Sequence, residues 1–109
     1  MLVTTTQLIE DYKIIEYKGI VRGLVVRSPN IMQGFLGGLK NVVGGKIGSY
    51  AQMCEKTRLE AFDLMVKHAA ELQANAVIGM NYDTSELGAT ITEVLCYGTA
   101  VIVAKQRRS

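Results

Sequence analysis

Tryptophan is absent from this chain, proline and histidine occur once each (Pro29 and His68), and cysteine occurs twice. Each shortage excludes a class of chemistry. A single histidine with no Cys, Asp or Glu at ligand spacing starts no zinc motif, so His68 reads as structural. Cys54 and Cys96 form no CxxC, which removes the common redox and zinc signatures. Cys54 and His68 cannot act as a nucleophile–base pair, because they stand about 21 Å apart along one predicted helix. No apolar run approaches the eighteen or so residues that span a bilayer. The opening "MLVTTTQLIE" lacks the basic and apolar regions of a signal peptide. These absences predict a cytoplasmic chain with reduced cysteines. A formal net charge of +2 is too small to imply nucleic acid as a partner. The basic tail "KQRRS", residues 105–109, reads as a solvated end.

What the chain does have is apolar residues, 49% of its 109. That length predicts one domain over residues 1–109. A domain so small buries a modest fraction of its surface, and the surplus predicts that copies of the chain complete one another's cores.

"DYKIIEYKGIVRGLVVR" reads as two β-branched runs broken at Lys18-Gly19, a strand pair or hairpin. Gly23 interrupts the second run and marks a bulge or a close backbone approach. In "SPNIMQGFLGGLKNVVGG", Asn30 is placed to cap a short helix carrying Ile31, Phe35, Leu39 and Val42. A membrane contact through Ile31, Phe35 and Leu39 lacks the basic flank that anionic lipid favours. "SYAQMCEKTRLEAFDLMVKHAAELQA" is a long helix with Ser49 as N-cap. Its apolar stripe of Ala51, Cys54, Ala61, Phe62, Met65, Ala69 and Leu72 is widened by Leu59, Val66, Met53 and Leu64. That arc exceeds what one sheet face covers, so the helix is expected to touch a neighbouring subunit. "NAVIGMNYDT" and "ITEVLCYGTAVIVAK" are strands. Alternation places Val94, Cys96, Gly98, Ala100 and Ile102 on one face of the last. The expected fold is α+β: an antiparallel four-stranded sheet, two strands before the helices and two after, with the long helix packed on it.

"NVVGGKIGSY" looks at first like a phosphate cradle. A P-loop needs glycine at position 40, which is Lys40, and Ser or Thr after Lys46, where Ile47 stands. It reads instead as a glycine turn entering a helix, favourable to anions in a generic way.

Arg58 falls inside the helix's apolar stripe, where a guanidinium must be paired or must line a cavity. Glu16 and Glu93 each interrupt apolar strand faces and are its candidate partners. Arg58, Tyr50 and the Gly44-Gly45 amides would then line a pocket for a small ligand of unknown identity. Both cysteines read first as small buried hydrophobes. The rival is a soft or heavy metal ion held by Cys54 and Cys96, converging between helix and sheet or across a subunit interface, which needs thiols within roughly 4 Å. Met53, Met65 and Met80 could add thioethers. An enzyme lacks any base–nucleophile pair at usable spacing, so a non-catalytic binder is expected.

Taken together, "IIEYKGIVRG", "NVVGGKIGSY", "TRLEAFDLMVKHAAELQANAVIGMNYD" and the closing "YGTAV" resemble the YbjQ-like family of small bacterial and archaeal proteins, over nearly the whole chain. The resemblance implies a dodecin-like α+β subunit and assembly into rings, usually pentamers. It also brings a heavy-metal-binding label.

Overall fold

The computed structural model describes residues 1–27, 47–86 and 91–106. They form four strands and one long helix: β1 (Leu2–Val3), β2 (Tyr12–Arg27), α1 (Ile47–Glu71), β3 (Ala76–Glu86) and β4 (Thr92–Lys105). The strands make a single sheet in the order β1-β3-β4-β2, and α1 lies across one face of it. The α+β class holds, but the sheet is mixed. β4 pairs antiparallel with both β2 and β3, whereas β1 runs parallel to β3. The expected antiparallel sheet is therefore corrected. The sequence gives no warning of β1, since two residues are too few to show alternation. Thr4 and Thr6 prolong its contact with β3: Thr4 N–H donates to the Val77 carbonyl, and Gly79 N–H to that of Thr6.

The strand pair expected in residues 11–27 is also corrected. Tyr12–Arg27 is one continuous strand. Gly19 has φ of 116° and sits at a register shift between Tyr17 and Gly19. The glycine that looked like a turn instead admits an extra residue into the ladder, and the strand bends and runs on. The short helix expected after Asn30 lies outside the described residues. The long helix begins at Ile47, so Ser49 lies in its first turn and is not its N-cap.

Good helix formers carry α1 through its length, and its end is sharply defined. Gln73 takes φ of 64°; its N–H donates to the Ala70 carbonyl and that of Ala74 to Ala69. That pair of bonds is a Schellman ending, here with glutamine where glycine is usual. Asn75 then pins the chain to β4: its Nδ2 donates to the Val103 carbonyl at 2.9 Å, and its Oδ1 accepts from Val103 N–H at 2.8 Å.

The core lies between α1 and the sheet. Ala61, Met65 and Ala69 from the helix meet Val21, Val25, Val77, Val94, Cys96 and Ala100. The helix comes closest at Gly23, where an added Cβ would stand 1.9 Å from the Ala61 carbonyl oxygen. Of the two meanings open to this glycine, close approach is the one realised. On the other side of the sheet, Ile9, Tyr12 and Ile14 cover Ala76, Ile78, Val101 and Val103. The rest of that side is open: Ile20 is 77% exposed, with Leu24 and Val26 beside it.

Candidate functional site

Along the helix-facing side of β2 the residues run Gly23, Val25, Arg27, so side-chain size rises toward the strand's end. The Arg27 guanidinium pairs with Glu60, between strand and helix. Beyond this pair α1 stands off from the sheet, leaving a cavity of about 340 Å³. The helix lines it with Cys54, Thr57 and Arg58; the strand ends add Arg27, Thr84, Thr92 and Val94. Register explains the strand contribution. Thr84 pairs with Val94, and both share the helix-facing side with Cys96, two residues further along β4.

Two of these residues carry charge, and they differ in how they are held. Arg27 is three-quarters buried at its side chain and paired with Glu60. Arg58 is 49% exposed, and its ion-pair partner is Glu55, one turn earlier on the same helix, at 4.0 Å. Neither expected carboxylate meets it. Glu16 pairs with Lys18 at 2.9 Å and stands opposite Ile102, roughly 27 Å along β4 from Val94. Glu93 sits opposite Val26 and Ser85, on the side of the sheet turned away from α1. The Arg58–Glu16–Glu93 trio is thus not assembled within the chain, whereas the alternative, that Arg58 lines a cavity, is the arrangement found. Tyr50 lies in the first turn of α1, and Gly44 and Gly45 fall outside the described residues.

The cysteines are separated. Cys54 is exposed and Cys96 fully buried. The Cys96 Sγ lies 3.6 Å from the Met65 Sδ, three helical turns and about 16 Å beyond Cys54. Within one chain, two thiols so placed cannot reach the separation of roughly 4 Å that one metal ion needs. Burial pushes the Cys96 thiol up to about 11, partly countered by a hydrogen bond from the Tyr82 hydroxyl. Tyr82 is itself raised, by desolvation first and then by Cys96. Among the described residues, no three His, Cys, Asp or Glu side chains gather in a way that could hold a metal ion. His68 does structural work: its Nδ1 accepts the Arg22 backbone N–H at 3.2 Å, satisfying an amide of the outer strand.

Sequence reading reached Arg58 and Cys54 in this cavity but missed Arg27, Thr57, Thr84, Thr92 and Val94. A usable signal existed for some. Arg27 follows Gly23 and Val25 on one strand face, and Thr57 stands three residues after Cys54 and four before Ala61.

Fold and site together define a small helix-on-sheet α+β domain with one end of the helix raised over a lined cavity. Residues 1–104 match the model of the YbjQ family, described as "Putative heavy-metal-binding", and the chain belongs to that family. It is 61% identical over 103 residues to a UPF0145 protein of Legionella pneumophila strain Corby, covering 94% of this chain and 98% of that one. It is 51% identical over 105 residues to a UPF0145 protein of Francisella philomiragia, covering 94% and 99%. These names carry no enzymatic activity. A solved DUF74-family protein from Pediococcus pentosaceus shares the fold at TM-score 0.61 and 20% identity, over 95% of this chain and 98% of that one.

Proposed function

We propose that the protein is a non-catalytic, cytoplasmic, self-assembling subunit that carries a small-ligand pocket. The observation behind this reading is excess surface. The chain exposes 7488 Å², against about 5,900 Å² for a compact monomer of its mass. The difference, about 1,500 Å², is about what one chain gives to two standard interfaces at roughly 800 Å² each. The radius of gyration of 17.4 Å, against about 13 Å for a compact domain of this length, points the same way. Ile20, Leu24 and Val26 on the open side of the sheet, with Leu59 and Leu64 on α1, are exposed apolar side chains that a second copy would cover. A ring of five is the assembly that resemblance to the family favours. No helix among the described residues is long and apolar enough to cross a membrane.

Light scattering on the eluting protein tests this. The expected mass is five times the 11.9 kDa chain, and Leu24→Asp on the open side should reduce it to that of the monomer. A monomeric wild type at micromolar concentration sinks the reading.

A second reading follows the family description: capture of a soft metal ion. The observation favouring it is the sulfur pair of Cys96 and Met65, since thiolate and thioether select soft ions. Cys54 and Cys96 would then act at separate places. Titration with Cd²⁺, followed by thiolate-to-metal charge-transfer absorption, decides it: a band that Cys96→Ala abolishes and Met65→Leu weakens supports the metal, and the absence of a band removes it.

A further inference from the structure

We propose that the cavity between the N-terminal half of α1 and the ends of β2, β3 and β4 binds a small molecule with an anionic oxygen fork, carboxylate or phosphate, on a compact apolar body. The described residues that line it come from helix and sheet together, and the inference rests on the small-ligand pocket proposed above.

The two arginines differ in what they have left to give. Arg27 is committed to Glu60 and serves as a wall. Arg58 has its partner at the outer limit of an ion pair, on a Glu55 side chain that is 78% exposed. An exposed pair of this kind contributes little, at most about 1 kcal/mol, so a ligand oxygen displaces Glu55 at small loss. A guanidinium presents a rigid fork of donors that fits two oxygens of a carboxylate or phosphate at once. Thr84 and Thr92 add hydroxyls across the cavity from the helix, and Val94 and the Cys54 side chain provide apolar contact. A volume of about 340 Å³ lies at the lower end of the range for small-molecule sites, roughly 300–1,000 Å³. It suits one ring or a short branched chain rather than a nucleotide.

Cys54 supplies the readout, because its thiol is exposed in the cavity wall while Cys96 is buried. The alkylation rate of Cys54 by iodoacetamide is followed on the full chain by intact mass. The probes are benzoate, phenyl phosphate, inorganic phosphate and, as the neutral control, benzyl alcohol. Benzoate or phenyl phosphate should slow alkylation at least fivefold, and whichever does so more identifies the head group. Benzyl alcohol should have little effect. In Arg58→Gln, and separately in Thr92→Val, the slowing should shrink by at least threefold relative to each variant's own rate without probe. Equal protection by benzyl alcohol, protection that survives both substitutions, or no protection by any probe would each overturn the proposal. Light scattering in the same buffer keeps this result apart from the question of assembly.

Discussion

The two halves of α1 carry the same helical pattern and end up in opposite situations. From Ala61 onward every fourth residue is buried without residue: Ala61, Met65 and Ala69 are all at 0% exposure. Before Ala61, only Thr57 among the described side chains is buried, and Cys54, Lys56, Arg58 and Leu59 are exposed. The cause is what each half meets. The second half lies on Gly23 and Cys96, residues small enough for backbone to approach backbone. The first half instead reaches the strand through its own Glu60, which pairs with Arg27 of β2. We read the close contact at one end and the long paired side chains at the other as a wedge, with the cavity at its open end. Packing and site are thus two consequences of one gradient in side-chain size along β2.

The comparison breaks most completely at Gly23. Gly23→Ala would drive a methyl group into the Ala61 carbonyl and the Met65 amide, and neither backbone group can give way cheaply. Loss of cooperative unfolding in a urea titration is expected. A variant with wild-type stability would show that the close half is not close. Met65→Ala attacks the same half from the other side and should cost about 2–5 kcal/mol by chemical denaturation, because Met65 is fully buried. Gly19→Ala should cost less, about 1–2 kcal/mol. Its φ of 116° disfavours a side chain, yet nothing lies within 4 Å of the added carbon.

How much of this the sequence shows depends on the range of the cause. The periodicity of α1, the alternation of β4 and the special status of Gly23 are local, and all three are legible. Lys18-Gly19 misled because one residue type serves both turn and bulge; only the partner strand decides, and β4 runs past without a break. The first strand is invisible because two residues carry no period. Arg58 is anomalous in the apolar stripe, but the carboxylate that reaches it is not on a strand. Glu16 lies too far along the sheet and Glu93 on its opposite side, while Glu55 sat one turn away on the same helix. Cys54 fits the apolar stripe on a wheel and is nevertheless exposed, since a wheel assumes that the helix keeps a constant distance from the sheet.

The close half also has a pH signature. The Cys96 thiol ordinarily titrates near 9 and is pushed up to about 11 by burial. The folded state therefore holds its proton more tightly than the unfolded state, and stability is present in full below about pH 9 and lost as pH rises toward 11. The melting temperature should fall across that window. Cys96→Ala should flatten the fall, leaving the smaller part due to Tyr82, which is shifted in the same direction. A slope unchanged by the substitution would mean that the thiol is better solvated than its position against Met65 implies.

The smallest effect on stability belongs to the raised half, and its smallness is the informative part. Arg58→Gln removes a half-exposed guanidinium whose partner stands 4.0 Å away, so the melting midpoint should move by less than about 0.5 kcal/mol equivalent. A larger loss would mean that Arg58 helps to hold the helix in place, and the wedge would then rest on two charged residues instead of on the Arg27–Glu60 pair. An unchanged midpoint, set beside the heavy cost at Gly23 and Met65, would separate the side chains that build the wedge from the one that faces into it, leaving Arg58 free to answer to a ligand rather than to the fold.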